Sequence, residues 1–213
     1  GTNPELLWAP IRATGAHGLP SAASIDNGTT NPPIGPQLLL DPVSGNVFIL
    51  FRQDDGTGRV QLYARYYRKS AGTVVNVTPT SAGANDPIAL TGVAVGAVQG
   101  VDAIFHRQDA SAYIVLRQVK NTGSGAEGVF GCKVTSTLAL VGPAEHSTPS
   151  ATIVSDPKIV LDGAGNALTL WREGNPPILC ARQSTSSSLG MAFTGPPDFV
   201  SASSTLACGQ FAA

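Results

Sequence analysis

The feature that most constrains this chain is an internal recurrence. The segment from Pro36 to Arg65, PQLLLDPVSGNVFILFRQDDGTGRVQLYAR, returns as Pro157 to Arg182, PKIVLDGAGNALTLWREGNPPILCAR. Both open on Pro, run through an apolar stretch into Leu-Asp, turn at Gly-Asn, and continue as an alternating stretch closing on an aromatic residue and Arg. Each then crosses a polar loop and ends in Leu-x-Ala-Arg. Alternation of period two between Gly, Asn, Asp and Pro turns is the pattern of short antiparallel strands, so the recurrence predicts hairpins. In the first copy Val47, Ile49 and Phe51 occupy one face and Phe48 and Leu50 the other. A strand apolar on both faces must be covered on both. Asp41 and Asp162, each ahead of a Gly-Asn turn, read as turn caps, since no Asp-x-Asp-x-Asp series accompanies them as calcium would require.

A looser copy lies between these two. Thr73 to Thr78 and Asp86 to Leu90 read as strands, followed by Val101 to Arg107 and an outer strand from Ala112 to Val119. Phe105-His106-Arg107-Gln108-Asp109 aligns with Leu50-Phe51-Arg52-Gln53-Asp54, with His106 in the place of an aromatic residue. Val129 to Leu140 opens a third unit, and Met191 to Val200 with Thr205 to Phe211 makes at most half of a fourth. At the other end, Leu6 to Ala13 reads as a first strand anchored by Trp8, and Gly15 to Pro36 as loop. Within that loop Ser24 to Asn31 matches most of the sialidase-type Asp box, but it occurs once and ends in Asn31 where an aromatic residue belongs, and is read as coincidence. The expectation is an all-β chain: a β-propeller-like array of three full four-stranded repeats plus a partial one. It forms a single domain over residues 1–213, with repeats at about 6–70, 71–120 and 128–185 and a partial one at 189–213.

The order of features resembles the propeller-type repeats of bacterial exported proteins, most of them without a known role. It is carried by Pro36, Asp41, Gly45, Asn46, Phe51, Asp55, Gly56, Tyr63, Ala64 and Arg65, and again by Pro157, Asp162, Gly165, Asn166, Trp171, Ala181 and Arg182. The resemblance implies a propeller-like fold and an extracellular, cell-surface or virion location, and no particular activity. It departs from the family in repeat number, since single-chain propellers have at least four blades. Three arrangements would account for this: the N-terminal strand around Trp8 pairs with the C-terminal strands to build a fourth blade, which is the preferred expectation, the protein associates to close a ring, or the domain is an open or sandwich-like relative.

Bulk properties exclude several classes. Only 13% of residues are charged and the net charge is −1, a balance that argues against a nucleic-acid binder, which needs a basic face to neutralise phosphates. A hydrophobic fraction of 42% excludes a disordered chain. No apolar run reaches the roughly 18 residues of a membrane helix. No signal-peptide pattern is read, and a chain starting at Gly1 is compatible with one having been removed. Cys132, Cys180 and Cys208 allow one internal pair at most. Cys180 occupies a strand position matched to Tyr63 and Val115, which reads as a buried apolar cysteine. A bridge from it to Cys132 or Cys208 stays open for an exported protein.

The candidate ligand-binding residues are Arg52, Arg107 and Arg172, aligned in the three units, with Tyr63 and Trp171 as aromatic platforms for sugars. Convergent arginines could hold a carboxylate in a bidentate grip. Against this stands a structural reading, in which strand-end arginines bond loop carbonyls or an aspartate, because Arg65, Arg117 and Arg182 recur just as faithfully. No metal or cofactor is expected: His17, His106 and His146 lie far apart, and no nucleotide fingerprint or Gly-x-Ser-x-Gly is present. The expected function is a non-enzymatic binding or adhesion module, glycan-recognising, with a protein or glycan surface partner. The alternative is a structural subunit associating through strand edges into a homo-oligomer or larger assembly, and a sialidase-like glycoside hydrolase ranks third.

Overall fold

The anticipated hairpins are present in the computed structural model, which describes residues 7–8, 23–24, 30–76, 96–120, 125–137, 139–147, 153–185 and 198–199. Turn chemistry lays them out. Asp41 Oδ1 accepts the Val43 N–H at 2.9 Å, Asp41 Oδ2 accepts the Ser44 hydroxyl, and Gly45 adopts the positive φ of +71° that lets the chain reverse. Asp162 does the same work in the recurrence, accepting the N–H groups of Ala164 and Asn166 at 2.9 and 2.8 Å and the Asn166 amide at 2.8 Å. The capping roles read for both aspartates are therefore realised. The next turn follows the same logic, with Asp54 Oδ1 accepting from Gly56 at 2.7 Å and Gly58 at 3.2 Å.

The described chain contains strands and no helix, in two compact units, residues 1–88 and 89–213. In the first, β1 (Leu7–Trp8) pairs with β2 (Ala23–Ser24), inside the segment expected to be loop. Then β3 (Ile34–Leu40), β4 (Val47–Asp54), β5 (Val60–Arg68) and β6 (Thr73–Asn76) form an antiparallel meander in that order, here sheet 1. As expected of a strand apolar on both faces, β4 is buried on both. Phe51 stacks on Tyr63 with ring centroids 5.4 Å apart, and the Arg65 guanidinium lies 5.6 and 5.9 Å from the two centroids. On the opposite face Phe48 meets Tyr66 at 4.6 Å. Cross-strand aromatic pairs of this kind stabilise a sheet by up to about 1 kcal/mol each beyond area burial.

The second unit holds two more open four-stranded meanders. Sheet 2 is β7 (Val98–His106), β8 (Ser111–Val119), β9 (Glu127–Val134) and β10 (Leu140–Glu145). Sheet 3 is β11 (Lys158–Leu161), β12 (Ala167–Glu173), β13 (Ile178–Ser184) and β14 (Asp198–Phe199). Sheet 3 packs on sheet 2 through its first strand. Ile159 and Ala167 close against Tyr113 and Val115, with Ile104 and Leu161 at the margin. A second cluster joins Val129 and Val154 to Trp171 and Cys180. The Ile159 N–H donates to Asp102 Oδ2 at 3.0 Å, tying β11 to β7 across the seam.

Pairing changes the phase of the repeat. Thr73–Asn76, expected to open the second unit, hydrogen-bonds to β5 and closes sheet 1. Likewise β9 and β10, expected to open the third unit, complete sheet 2, and β14, from the partial fourth unit, completes sheet 3. Phe51 faces Tyr63, Leu116 faces Phe130, and Trp171 faces Cys180. These registers align Phe51-Arg52-Gln53 with Leu116-Arg117-Gln118 and Trp171-Arg172-Glu173, at the ends of the three second strands. The repeat partner of Arg52 and Arg172 is therefore Arg117. Arg107 falls in the turn between β7 and β8. Alternation alone cannot tell a first strand from a second, so the Phe-His-Arg-Gln-Asp stretch matched the wrong one. The strand read at Asp86 to Leu90 lies outside the described residues, as do Cys208 and Thr205 to Phe211.

Candidate binding cleft

Two repeat-equivalent arginines share one open cleft in the second unit. Its volume is about 370 Å³, and its lining includes Arg117, Ile153, Ser155, Arg172 and Asn175. Each wall is set by strand geometry. Arg117 lies near the end of β8, where its partner on β7 is Gly100, and Arg172 lies near the end of β12 opposite Leu179. A Cβ at Gly100 would sit 2.3 Å from Asp156 Oδ1, so glycine is what lets this segment approach. The segment Ile153–Ser155 runs beside β12 as an extra rung: Val154 bridges to Glu173, and Ser155 N–H donates to the Arg172 carbonyl at 2.8 Å. Ser155 Oγ accepts the Arg172 N–H at 2.8 Å, and the Gly174 N–H donates to the Ile153 carbonyl at 3.0 Å.

The charges are organised across the seam between sheets 2 and 3. The Arg117 Nε lies 3.1 Å from Asp156 Oδ1, and its NH1 donates to the Val154 carbonyl at 3.3 Å. Arg117 thus acts as a strut between the sheets while its side chain stays part-exposed on the cleft. Ile153 leaves an apolar shoulder in solvent. Two guanidiniums, one hydroxyl, one amide and an apolar shoulder suit an anionic, hydroxyl-bearing ligand with one apolar face.

The other sequence candidates are placed differently. Arg52 is half-buried on β4 of the first unit. Arg107 is exposed at the end of the β7–β8 hairpin away from Arg117, roughly 20 Å along β8 at the usual rise per strand residue. The expected trio of Arg52, Arg107 and Arg172 is corrected accordingly: in the second unit it is Arg117 that joins Arg172. Tyr63, on β5, is buried with its ring stacked on Phe51 and covered by Arg65, so it cannot serve as a platform for sugar. Trp171 is buried too, behind Val154 in the wall of the cleft, with Nε1 donating to Glu173 Oε2 at 3.0 Å. An aromatic residue with its polar handle satisfied internally is a core element. The second arginine set follows the structural reading. Arg65 donates to the Ala64 carbonyl at 3.0 Å and Arg182 to the His146 carbonyl at 3.2 Å. The signal that would have found Arg117 was the Leu-Arg-Gln following the alternation of β8, an equal match to Phe51-Arg52-Gln53.

Two further groups bear on chemistry. Cys132 and Cys180 are buried free thiols, which leaves open nothing of a bridge between them. Burial pushes Cys132 up to about 12, and burial together with the Glu173 carboxylate pushes Cys180 up to about 12, so neither is a thiolate at neutral pH. At the far end of β8, Asp109 gathers His106 Nδ1 at 2.6 Å, the Tyr113 hydroxyl at 3.2 Å and Lys133 Nζ at 3.4 Å. Tyr113 stacks on His106 and is fully buried, out of reach of a substrate in solvent. Among the described residues no three His, Cys, Asp or Glu side chains gather as a metal site.

No protein-family model and no curated protein matches the chain. Among solved structures, it is similar to a Hadza microbial sialidase, at 11% identity and a TM-score of 0.47, over 75% of this chain and 32% of the sialidase. It is also similar to an N-acetylgalactosamine deacetylase from F. plautii, at 8% identity and a TM-score of 0.43, over 79% of this chain and 55% of the deacetylase. The chain thus spans about a third of the first protein and just over half of the second. What the cleft can bind follows from its own residues.

Proposed function

We propose that the chain is a non-enzymatic recognition module of an exported or virion surface protein, and that it grips a carboxylate-bearing glycan in the cleft between Arg117 and Arg172. The observation that carries this is the shared cleft itself, where two arginines at the same repeat position line one opening. Arginine forks suit planar carboxylates, Ser155 and Asn175 offer hydroxyl-directed hydrogen bonds, and Ile153 offers contact with the apolar face of a sugar ring. The packing of sheet 3 on sheet 2 supports blade-like stacking, and with it a propeller-like arrangement of the repeats.

Calorimetric titration with a sialyl trisaccharide, a glucuronate disaccharide and neutral lactose tests the reading. Binding of the two acidic sugars and not of lactose is the expected result, weakening as salt rises. Arg172→Ala should weaken it by roughly tenfold to a hundredfold, the worth of one charge-assisted hydrogen-bonded contact. Equal affinity for lactose, or an Arg172→Ala variant that binds as well as the parent, would sink the cleft. Turnover of a chromogenic sialoside would overturn the non-enzymatic part.

A further inference from the structure

A carboxylate stands beside one of the two arginines of the cleft. Asp156 Oδ1 lies 3.1 Å from Arg117 Nε, and the Asp156 side chain is 64% exposed. Two neighbours fix its place. Asp156 follows directly on the Ile153–Ser155 rung, which Ser155 holds to Arg172 through both its N–H and its Oγ. On the other side Gly100 is the register partner of Arg117, and a Cβ there would overlap the Asp156 carboxylate. The contact works through charge: Arg117 Nε is sealed from solvent and is not aligned on Asp156 as a hydrogen bond. Other carboxylates and amines nearby are directed elsewhere. Glu173 meets Trp171 Nε1, and Lys158 faces Asp102 at 4.0 Å. Among the described residues, the charges named at the opening are therefore two positive and one negative.

We infer that Asp156 sets the ligand charge the cleft accepts, by offsetting Arg117 so that a single net positive charge faces the ligand. This rests on the reading of the cleft as a carboxylate site, and it narrows the ligand to a singly acidic sugar rather than a multiply sulfated one. A first carboxylate is attracted by Arg117 and Arg172 together and repelled by Asp156 alone, so entry is favourable. A second anionic group meets a site whose net charge is already matched, and gains nothing from it. An exposed ion pair such as Arg117 with Asp156 adds little to folding, which leaves specificity as its main effect. Asp156 is thus a specificity-determining residue that acts through Arg117.

Calorimetric titration of the parent, Asp156→Asn and Gly100→Ala tests this, using a glucuronate disaccharide and the same disaccharide bearing one added sulfate. The parent should bind the two sugars within about threefold of each other. Asp156→Asn keeps the shape and removes only the charge. It should bind the unsulfated sugar about threefold to tenfold tighter and favour the sulfated one by a further factor of at least about three, the gain fading as salt rises. Gly100→Ala should move the ratio the same way, because its methyl group displaces the carboxylate from Arg117 while every charge stays on the chain. A merely structural role would change both sugars alike and leave their ratio unmoved. Asp156→Asn binding both sugars as the parent does, or more weakly, overturns the inference while the cleft stands. So does a parent that already prefers the sulfated sugar by about tenfold or more. If neither the parent nor Asp156→Asn binds the unsulfated sugar, the cleft reading itself has failed and the inference falls with it. Should Gly100→Ala melt well below the parent, the ratio measured for Asp156→Asn decides alone.

Discussion

Truncating Ile159 tests the seam between sheets 2 and 3, because the chain supplies its own control. Ile159→Ala removes three carbons from a side chain closed against Tyr113, Val115 and Ile104. At about 0.8 kcal/mol for each buried carbon the transfer cost is about 2.4 kcal/mol. The void left between two sheets adds to this, bringing the total into the measured range of about 2–5 kcal/mol. Leu38→Ala makes an equivalent truncation at the equivalent repeat position. There the side chain is largely in solvent, and a cost within about 0.5 kcal/mol is expected. Urea denaturation followed by circular dichroism, at low protein concentration so that chains are unassociated, compares the two. With a slope of about 3 kcal/mol per molar, Ile159→Ala should lower the midpoint by roughly 1 M and Leu38→Ala by hardly anything. Similar shifts for both variants would refute the claim that β11 is covered and β3 is not.

Three further outcomes are expected. Gly165→Ala should cost more than Gly58→Ala: both carry positive φ, +83° and +86°, worth about 1–2 kcal/mol of backbone strain. Only at Gly165 would the new Cβ meet a side chain, 2.5 Å from His106 Nε2, and thermal melts should show an added overpacking cost of about 1–3 kcal/mol. The Asn166 amide, with the N–H groups of Asn166, Ala164 and Gly165, holds the Asp162 carboxyl below its ordinary range. Its contribution is therefore present above the unfolded-state pKa and is lost as pH falls through the folded one. Asp162→Ala should then be less stable than the parent at neutral pH, with the difference closing in acid melts below about pH 4. In a Cys208→Ser background, Cys132 and Cys180 should resist a thiol reagent at pH 8 in the folded protein and react at once in urea, since both are held up to about 12; fast labelling of the folded chain would contradict their burial.

Much of the hairpin structure is legible in the sequence because turns are local. Asp41, Ser44, Gly45 and Asn46 specify a reversal with their own side chains and dihedrals, and the same is true of Asp162 to Asn166. Strand membership is different in kind. Whether Thr73–Asn76 belongs with the strands before it or after it depends on hydrogen bonds to β5, and nothing in four residues of alternating pattern encodes that. The same gap produced the choice of Arg107 over Arg117, since Phe-His-Arg-Gln-Asp and Leu-Arg-Gln are comparable local matches and only register separates them. Burial of aromatic residues was also out of reach. Period two places Tyr63 and Trp171 on a face, but whether that face meets solvent depends on Arg65 in one case and on Val154 in the other.

The chain carries two indoles, Trp8 and Trp171, and the second sits where the two sheets of the second unit meet. Its ring is sealed from solvent and its N–H is fixed on Glu173, so its emission should be blue-shifted and insensitive to aqueous quenchers. With Trp8 replaced by Phe, the protein becomes its own optical gauge of that seam. Separation of sheet 3 from sheet 2 would move the emission to the red before the strands themselves come apart.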